Sequence, residues 1–119
     1  MTELFDRDLD AWLAEHLLGF KRDRAGALFK HFEGPTWSGK DYLVPESSST
    51  GDGMLLILEA MRERGWVGLV KWDGDREHDH YTALFSQPDN VARIDAHSLP
   101  RAVAEAAKAA LEAAAVAHL

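Results

Sequence analysis

Residues 52–72, DGMLLILEAMRERGWVGLVKW, decide the fold of this chain, because the spacing of the apolar residues changes within them. The first part repeats at helical spacing, with Asp52 placed to cap the helix and Gly65 placed to end it in a left-handed conformation. From Trp66 to Trp72 alternate residues share a face, which is the period of a strand. The stretch therefore predicts a helix that folds back over the sheet entered by its own buried strand.

The composition limits the class of protein. The chain has 119 residues, which predicts a single domain over 1–119, and it has no cysteine, so disulfides and thiolate metal sites are excluded. Thirteen Lys and Arg stand against twenty Asp and Glu, and the net charge of −7 disfavours binding to nucleic acid. No apolar run is long enough to cross a membrane, and the acidic start MTELFDRDLD is unlike a secretory signal. We therefore expect a cytoplasmic protein.

Two amphipathic helices are predicted at the ends of the chain. Apolar residues recur at helical spacing over residues 3–18, and an alanine-rich helix runs from Leu99 to about residue 117 after a capping Ser98. A second alanine face on the last helix can serve either as a homo-oligomer seam or in close packing within one subunit. This face consists of Ala106, Ala109 and Ala113.

Residues 21–53 are rich in glycine, proline and serine, which predicts a loop or lid with at most an edge strand in it. Trp37, Lys40 and Tyr42 lie close together in this segment. An aromatic face beside an ammonium group suits a flat anionic ligand such as a nucleotide. The alternative is that Trp37 and Tyr42 only anchor the lid to the sheet.

A three-stranded antiparallel meander is predicted after Trp72. Asp73-Gly74-Asp75 is a hairpin signal, a second strand is expected over residues 77–85 and a third over residues 91–95. With the helices, the order becomes α, lid, α, β, β, β, α. We predict an α+β fold in which an antiparallel sheet of three to four strands is sandwiched between helices.

His78 and His80 have the spacing of a metal pair on one side of a strand. A third ligand is not evident, since Asp79 points to the opposite face and His31 and His97 cannot be placed from the sequence. A solvent-facing strand end is the favoured interpretation, and we predict neither a metal nor another cofactor.

Three segments together resemble the phage ABA-sandwich domain family, a group of small phage and prophage proteins. They are LDAWLAEHLLGF at residues 9–20, VPESSSTGDGMLLILEAMRERGW at residues 44–66 and SLPRAVAEAAKAALEA at residues 98–113. The resemblance implies a helix–sheet–helix fold and a phage setting, and it carries over no catalytic residues. The chain departs from the family pattern at residues 21–40.

These observations predict a protein that acts by binding and has no catalytic centre. The favoured hypothesis is a counter-defence protein that sequesters a nucleotide-type host signal. The ligand would then contact a set of aromatic and basic residues: Trp37, Lys40, Tyr42, Lys71, His78 and His80. The alternatives are an acidic blocker of a host defence protein, a phage accessory protein without a ligand, and a metal-dependent hydrolase that uses His78 and His80.

Overall fold

The computed structural model describes residues 6–72, 74 and 79–117. Three helices and six strands follow one another in this part of the chain. In order they are α1 (Arg7–His16), β1 (Lys21–Arg22), β2 (Leu28–Glu33), β3 (Ser38–Asp41), α2 (Gly51–Glu63), β4 (Val67–Trp72), β5 (Tyr81–Gln87), β6 (Asn90–Ala96) and α3 (Leu99–Ala117). Within the described segments every helix is too short or too polar to span a lipid bilayer.

The strands form two antiparallel sheets, β1-β2-β3 and β4-β5-β6. Helix α3 packs on β5 and β6, α2 packs on β4 and α3, and α1 packs on α3. The predicted α+β fold, with an antiparallel sheet packed against helices, is confirmed. One detail differs from the expected sandwich. On the face of the β4-β5-β6 sheet that points away from α3, Val67, Leu69 and Val91 are exposed.

Helix α3 is buried on almost every side, and this explains its alanines. It lies between the sheet and the other two helices, so small side chains are needed for close approach in several directions. Its fully buried residues are Ala102, Val103, Ala104, Ala106, Ala107 and Ala110. Ala106, one of three residues of the predicted oligomer seam, therefore packs inside the subunit, while Ala113 is exposed.

Helix α2 has the predicted end but a different start. Gly65 has a φ of +87°, the left-handed conformation expected after the last helical turn. The N-cap is Thr50, whose side chain accepts a hydrogen bond from the Gly53 N–H at 3.0 Å. The predicted cap, Asp52, was wrong because the helix begins at Gly51, one residue before it.

Strand β4 enters the sheet as predicted, but the prediction that it is buried was wrong. All six of its residues are exposed. The strand is at the edge of its sheet, and α3 covers β5 and β6 beside it. Helix α2 packs on β4, where Leu58 comes within 4.0 Å of the Cβ position at Gly68.

The predicted loop at residues 21–53 contains an independent three-stranded sheet, β1-β2-β3, which we call the ribbon. Asp23 closes its first turn by accepting hydrogen bonds from the Ala25 and Ala27 N–H groups, both at 2.9 Å. Gly26 supplies a φ of +85° in the same turn. Of the glycines that predicted a loop, Gly26 and Gly34 lie in the turns between the strands, whereas Gly39 lies within β3.

The meander is confirmed with shifted bounds. Strand β5 begins at Tyr81, and Asp79 and His80 before it are irregular, so the expected start near residue 77 was wrong. Strand β6 is one residue longer at each end than predicted. The hairpin signal at residues 73–75 lies largely outside the described residues.

Candidate ligand-binding site

The ribbon carries aromatic side chains on both of its faces. In the register of β2 with β3, Phe32 stands opposite Gly39, and Trp37 lies on the same face. The Phe32 and Trp37 rings stack with centroids 5.2 Å apart, and the Trp37 ring lies over Gly39, 3.1 Å from its Cβ position. The aromatic pair thus fills the space that the glycine leaves open.

The opposite face of the ribbon brings together Lys40, Tyr42 and Phe29. The Lys40 Nζ lies 4.6 Å from the centroid of the buried Phe29 ring, and the Tyr42 ring lies 6.0 Å from it. His31 meets the edge of the same ring at 5.4 Å. The structure therefore keeps Lys40 and Tyr42 of the predicted site together and places Trp37 on the other face.

Tyr42 also forms one wall of a cavity of about 490 Å³ between α1 and residues 42–46. Cavities that hold small ligands fall in the range of about 300–1,000 Å³. This one is lined by Arg7, Asp10, Ala11, Tyr42, Leu43, Val44 and Glu46. It thus combines an apolar and aromatic wall with one guanidinium and two carboxyl groups, and we call it the Asp10 cavity.

Asp10 is the unusual member of this cavity, because it is only 5% exposed although it lies on a surface helix. Its Oδ1 accepts a hydrogen bond of 2.8 Å from the main-chain N–H of Ser48. Burial raises the pKa of Asp10, and nearby Asp6 and Glu46 act in the same direction. The hydrogen bond from the Ser48 N–H favours the charged form and opposes this shift without cancelling it.

The turn that approaches Asp10 is tightly packed. Ser49 and Thr50 donate main-chain hydrogen bonds to the Glu46 carbonyl at 3.2 and 3.0 Å. A Cβ at Gly53 would lie 2.7 Å from that carbonyl oxygen, so α2 reaches the turn only because this position is glycine. Three buried hydroxyls of the turn have no hydrogen-bond partner among the described residues, namely those of Ser47, Ser48 and Ser49. The hydrogen bond from the Ser48 N–H to Asp10 therefore stabilises a turn in which the buried, unpaired hydroxyls cost free energy.

The Tyr42 ring is oriented by the first turn of the ribbon. Its hydroxyl donates a hydrogen bond of 3.3 Å to Asp23 Oδ2. Main-chain donation from Ala27 lowers the pKa of Asp23, and the Ala25 N–H adds to this effect. Desolvation, followed by the Asp23 charge, raises the pKa of Tyr42, so its hydroxyl remains the donor at neutral pH. The ring is therefore held half exposed, at 49%, beside the cavity.

Two further residues of the predicted site, Lys71 and His80, lie on or beside the other sheet. Lys71 is on β4, and His80 precedes β5 with its Nε2 3.6 Å from Asp95 Oδ1. Asp95 also accepts a 2.6 Å hydrogen bond from the Thr82 hydroxyl, which is the largest cause of its lowered pKa. The structure thus separates Lys71 and His80 from the ribbon, and His78 lies outside the described residues.

The described histidines do not form a metal-binding group of three side chains, although His80 lies beside Asp95. His97 Nδ1 lies 3.1 Å from the Asp79 carbonyl oxygen, and His31 packs on Phe29. Among residues 6–72, 74 and 79–117 there is no group of three or more His, Asp or Glu that could hold a metal ion. The metal hypothesis for His78 and His80 therefore gains no third ligand from this part of the chain.

Sequence reasoning missed three residues of the cavity, Arg7, Asp10 and Glu46. One signal could have found Asp10, since it precedes Leu13 by three residues and Leu17 by seven. It therefore falls on the buried stripe of α1, where a carboxylate requires a partner. Arg7 and Glu46 carry no comparable signal.

A second groove of about 400 Å³ runs between α1 and α3. Its charged lining residues are Asp6, Asp8, Glu105, Lys108 and Glu112. Four carboxylates against one ammonium group repel an anion, so this groove is the poorer site for a phosphate-bearing ligand.

No protein-family model, curated protein or solved structure matches this chain. The resemblance to the phage ABA-sandwich family thus stays a prediction, and the function is argued from the site alone.

Proposed function

We propose that this chain is a binding protein without a catalytic centre, and that it captures a nucleotide-type small molecule in the Asp10 cavity. The observation that carries the proposal is the convergence of Tyr42, Arg7 and Asp10 on one cavity of ligand size. The phage setting, the cytoplasmic location and the counter-defence role belong to the same proposal, with the ligand acting as a host signal.

The chemistry of each side chain suits one part of such a ligand. The Tyr42 ring offers a face on which a base can stack, and Leu43 and Val44 extend that apolar wall. A carboxyl group such as Asp10 can hydrogen-bond the polar edge of a base. Arg7 supplies a guanidinium group for a phosphate. Lys40 lies on the same face of the ribbon as Tyr42 but outside the cavity lining, with its ammonium group 4.6 Å from the Phe29 ring centroid.

The proposal predicts that thermal stability rises with at least one member of a panel of mononucleotides, cyclic nucleotides and dinucleotides. A ligand present at 100 times its dissociation constant adds about 2.7 kcal/mol to the free energy of unfolding. The measurement is a melting-temperature screen against matched nucleosides and inorganic phosphate. A flat response across the nucleotide panel contradicts the proposal.

The site within the chain is tested by substitutions on the two faces of the ribbon. Tyr42→Ala removes the stacking face and should weaken binding of the active nucleotide by about 10- to 100-fold, because stacking contributes about 1–3 kcal/mol per base. Tyr42→Phe keeps the ring and should bind within a few-fold of the parent chain. Trp37→Ala, on the opposite face, is the matched control and should leave affinity unchanged by calorimetry. Equal losses for Tyr42→Ala and Trp37→Ala would place the ligand elsewhere.

A further inference from the structure

Among the residues that the structure describes, β4 is an edge strand with no neighbour on one side. The order β4-β5-β6 gives it a partner on the β5 side, and all six of its residues are exposed. An open strand edge presents main-chain N–H and C=O groups that can pair with another strand. At a rise of about 3.3 Å per residue, β4 offers about 20 Å of such an edge.

Other strand edges of the described chain are protected in ways that β4 lacks. Strand β3 has only four residues and ends in Lys40 and Asp41, and β6 carries Arg93 and Asp95. Short length and charged side chains are the usual means by which proteins prevent edge pairing. Strand β4 is longer than β3, and Lys71 is its one charged residue.

The side chains of β4 are apolar on both faces of the sheet. Val67 and Leu69 on the open face are 67% and 60% exposed, and Val70 and Trp72 on the helix face are 44% and 59% exposed. A strand that pairs with β4 would therefore cover apolar surface above and below the sheet. A second strand could thus form hydrogen bonds with the main chain of β4 and contact its apolar side chains.

We propose that β4 pairs antiparallel with β4 of a second copy of this chain, about a two-fold axis at Leu69, and joins two sheets into one of six strands. In this register Leu69 stands opposite the partner's Leu69, Val67 opposite the partner's Lys71, and Gly68 opposite the partner's Val70. Six strands is an ordinary size for a sheet.

The sequence of β4 is compatible with itself in this pairing. The two Leu69 side chains meet at the axis, each lysine stem lies across a valine, and glycine faces valine, so no like charges are directly opposed. The net charge of −7 opposes association, but residues 65–72 contain no acidic residue. No acidic residue of β4 itself therefore opposes the pairing.

The area available is at the lower limit for a specific dimer. Pairing through the edge covers part of the exposed surface of six residues on each copy, so the interface lies at or below about 1,000 Å² in total, the size at which specific interfaces begin. Main-chain pairing along the strand adds hydrogen bonds to this area. We therefore expect a reversible dimer with a micromolar dissociation constant.

Sedimentation equilibrium on matched variants tests the proposal. The parent chain should be dimeric at about 100 µM, the concentration appropriate for a weak interface. Leu69→Glu should raise the dissociation constant at least tenfold, because two carboxylates then meet at the axis. Leu55→Glu on α2 is the control, since Leu55 is 59% exposed and Leu69 is 60% exposed, and it should leave the constant unchanged.

A charge-pair experiment tests the register. Leu69→Glu and Leu69→Lys should each be monomeric alone and should form a heterodimer when mixed, because opposite charges then face one another across the axis. In the parent chain, amide exchange of residues 67–71 should slow as concentration rises, a readout that requires no variant. A monomeric parent chain, a dimer that survives Leu69→Glu, or an equal effect of Leu55→Glu overturns the proposal.

Discussion

The two antiparallel sheets of this molecule have the same number of strands but different relations to the core. The β4-β5-β6 sheet buries Ala83, Phe85 and Ala92 against the helices. In the ribbon, Phe29 is the buried hydrophobic residue among the three strands, and large aromatic side chains remain half exposed. One sheet thus packs into the hydrophobic core, whereas the ribbon keeps large side chains at the surface, beside the cavity in which we propose that a ligand binds.

The largest expected effect comes from matched phenylalanine substitutions in the two sheets. Phe85 is 1% exposed, so Phe85→Ala leaves a cavity in the core and should lower the free energy of unfolding by about 3–5 kcal/mol. Phe32 is 45% exposed and stacks on Trp37, so Phe32→Ala should cost only about 1 kcal/mol. Urea unfolding measures both, and a Phe32→Ala cost as large as that of Phe85→Ala would remove the distinction between the sheets.

Substitution of two glycines at the start of α2 tests how tightly this helix packs against residues 46 and 47. A Cβ at Gly53 would meet main-chain atoms of residues 46 and 47 at 2.7 Å, whereas a Cβ at Gly51 would meet nothing within 4 Å. Gly53→Ala should therefore cost about 1–3 kcal/mol through overpacking. Gly51→Ala should be neutral or stabilising by up to about 1 kcal/mol. Thermal melts that rank the two variants in the opposite order would contradict this packing.

The smallest expected effect is a pH dependence that originates in Asp10. Because its pKa is raised in the folded state, its carboxyl binds a proton more tightly when folded than when unfolded. Its contribution to stability is therefore most favourable below the unfolded pKa and declines as pH rises through the folded pKa. Asp10→Asn does not titrate and keeps an acceptor for the Ser48 N–H, so its melting temperature relative to the parent chain should rise between pH 4 and pH 7.

Asp10→Ala provides the control for this pH effect. It also removes the titration, but it leaves the buried Ser48 N–H without an acceptor and should cost about 1–3 kcal/mol at every pH. A difference of about 1 kcal/mol moves the melting temperature by about 4 °C, and we expect the pH-dependent part for Asp10→Asn to be no larger. If the difference between Asp10→Asn and the parent chain is constant or falls with pH, Asp10 is not the group responsible.

The sequence predicted those parts of the fold that depend on a strong local pattern. The aliphatic period of α2, the left-handed Gly65 and the alternation in β5 each follow from residues close together in the chain. The exposure of β4 could not be predicted in this way, because it depends on which strands α3 covers. The ribbon was missed because its glycines and prolines are typical of loops and its strands are short.

The candidate site was predicted in part. Trp37, Lys40 and Tyr42 were grouped by proximity in sequence. In the structure Lys40 and Tyr42 share one face of the ribbon because alternate residues of a strand do so, whereas Trp37 differs from them in parity and lies on the other face. Asp10 meets Ser48 across 38 positions of the chain, and such a contact requires the docking of two elements that the sequence describes separately.

A nucleotide titration followed by backbone NMR shows whether the proposed ligand binds between α1 and the segment after the ribbon. With the nucleotide that raises the melting temperature, we expect saturable shift changes at Arg7, Asp10, Tyr42 and Glu46, with little change in β5 and β6. Changes centred on the β4-β5-β6 sheet, or no changes with any nucleotide of the panel, would contradict the proposal.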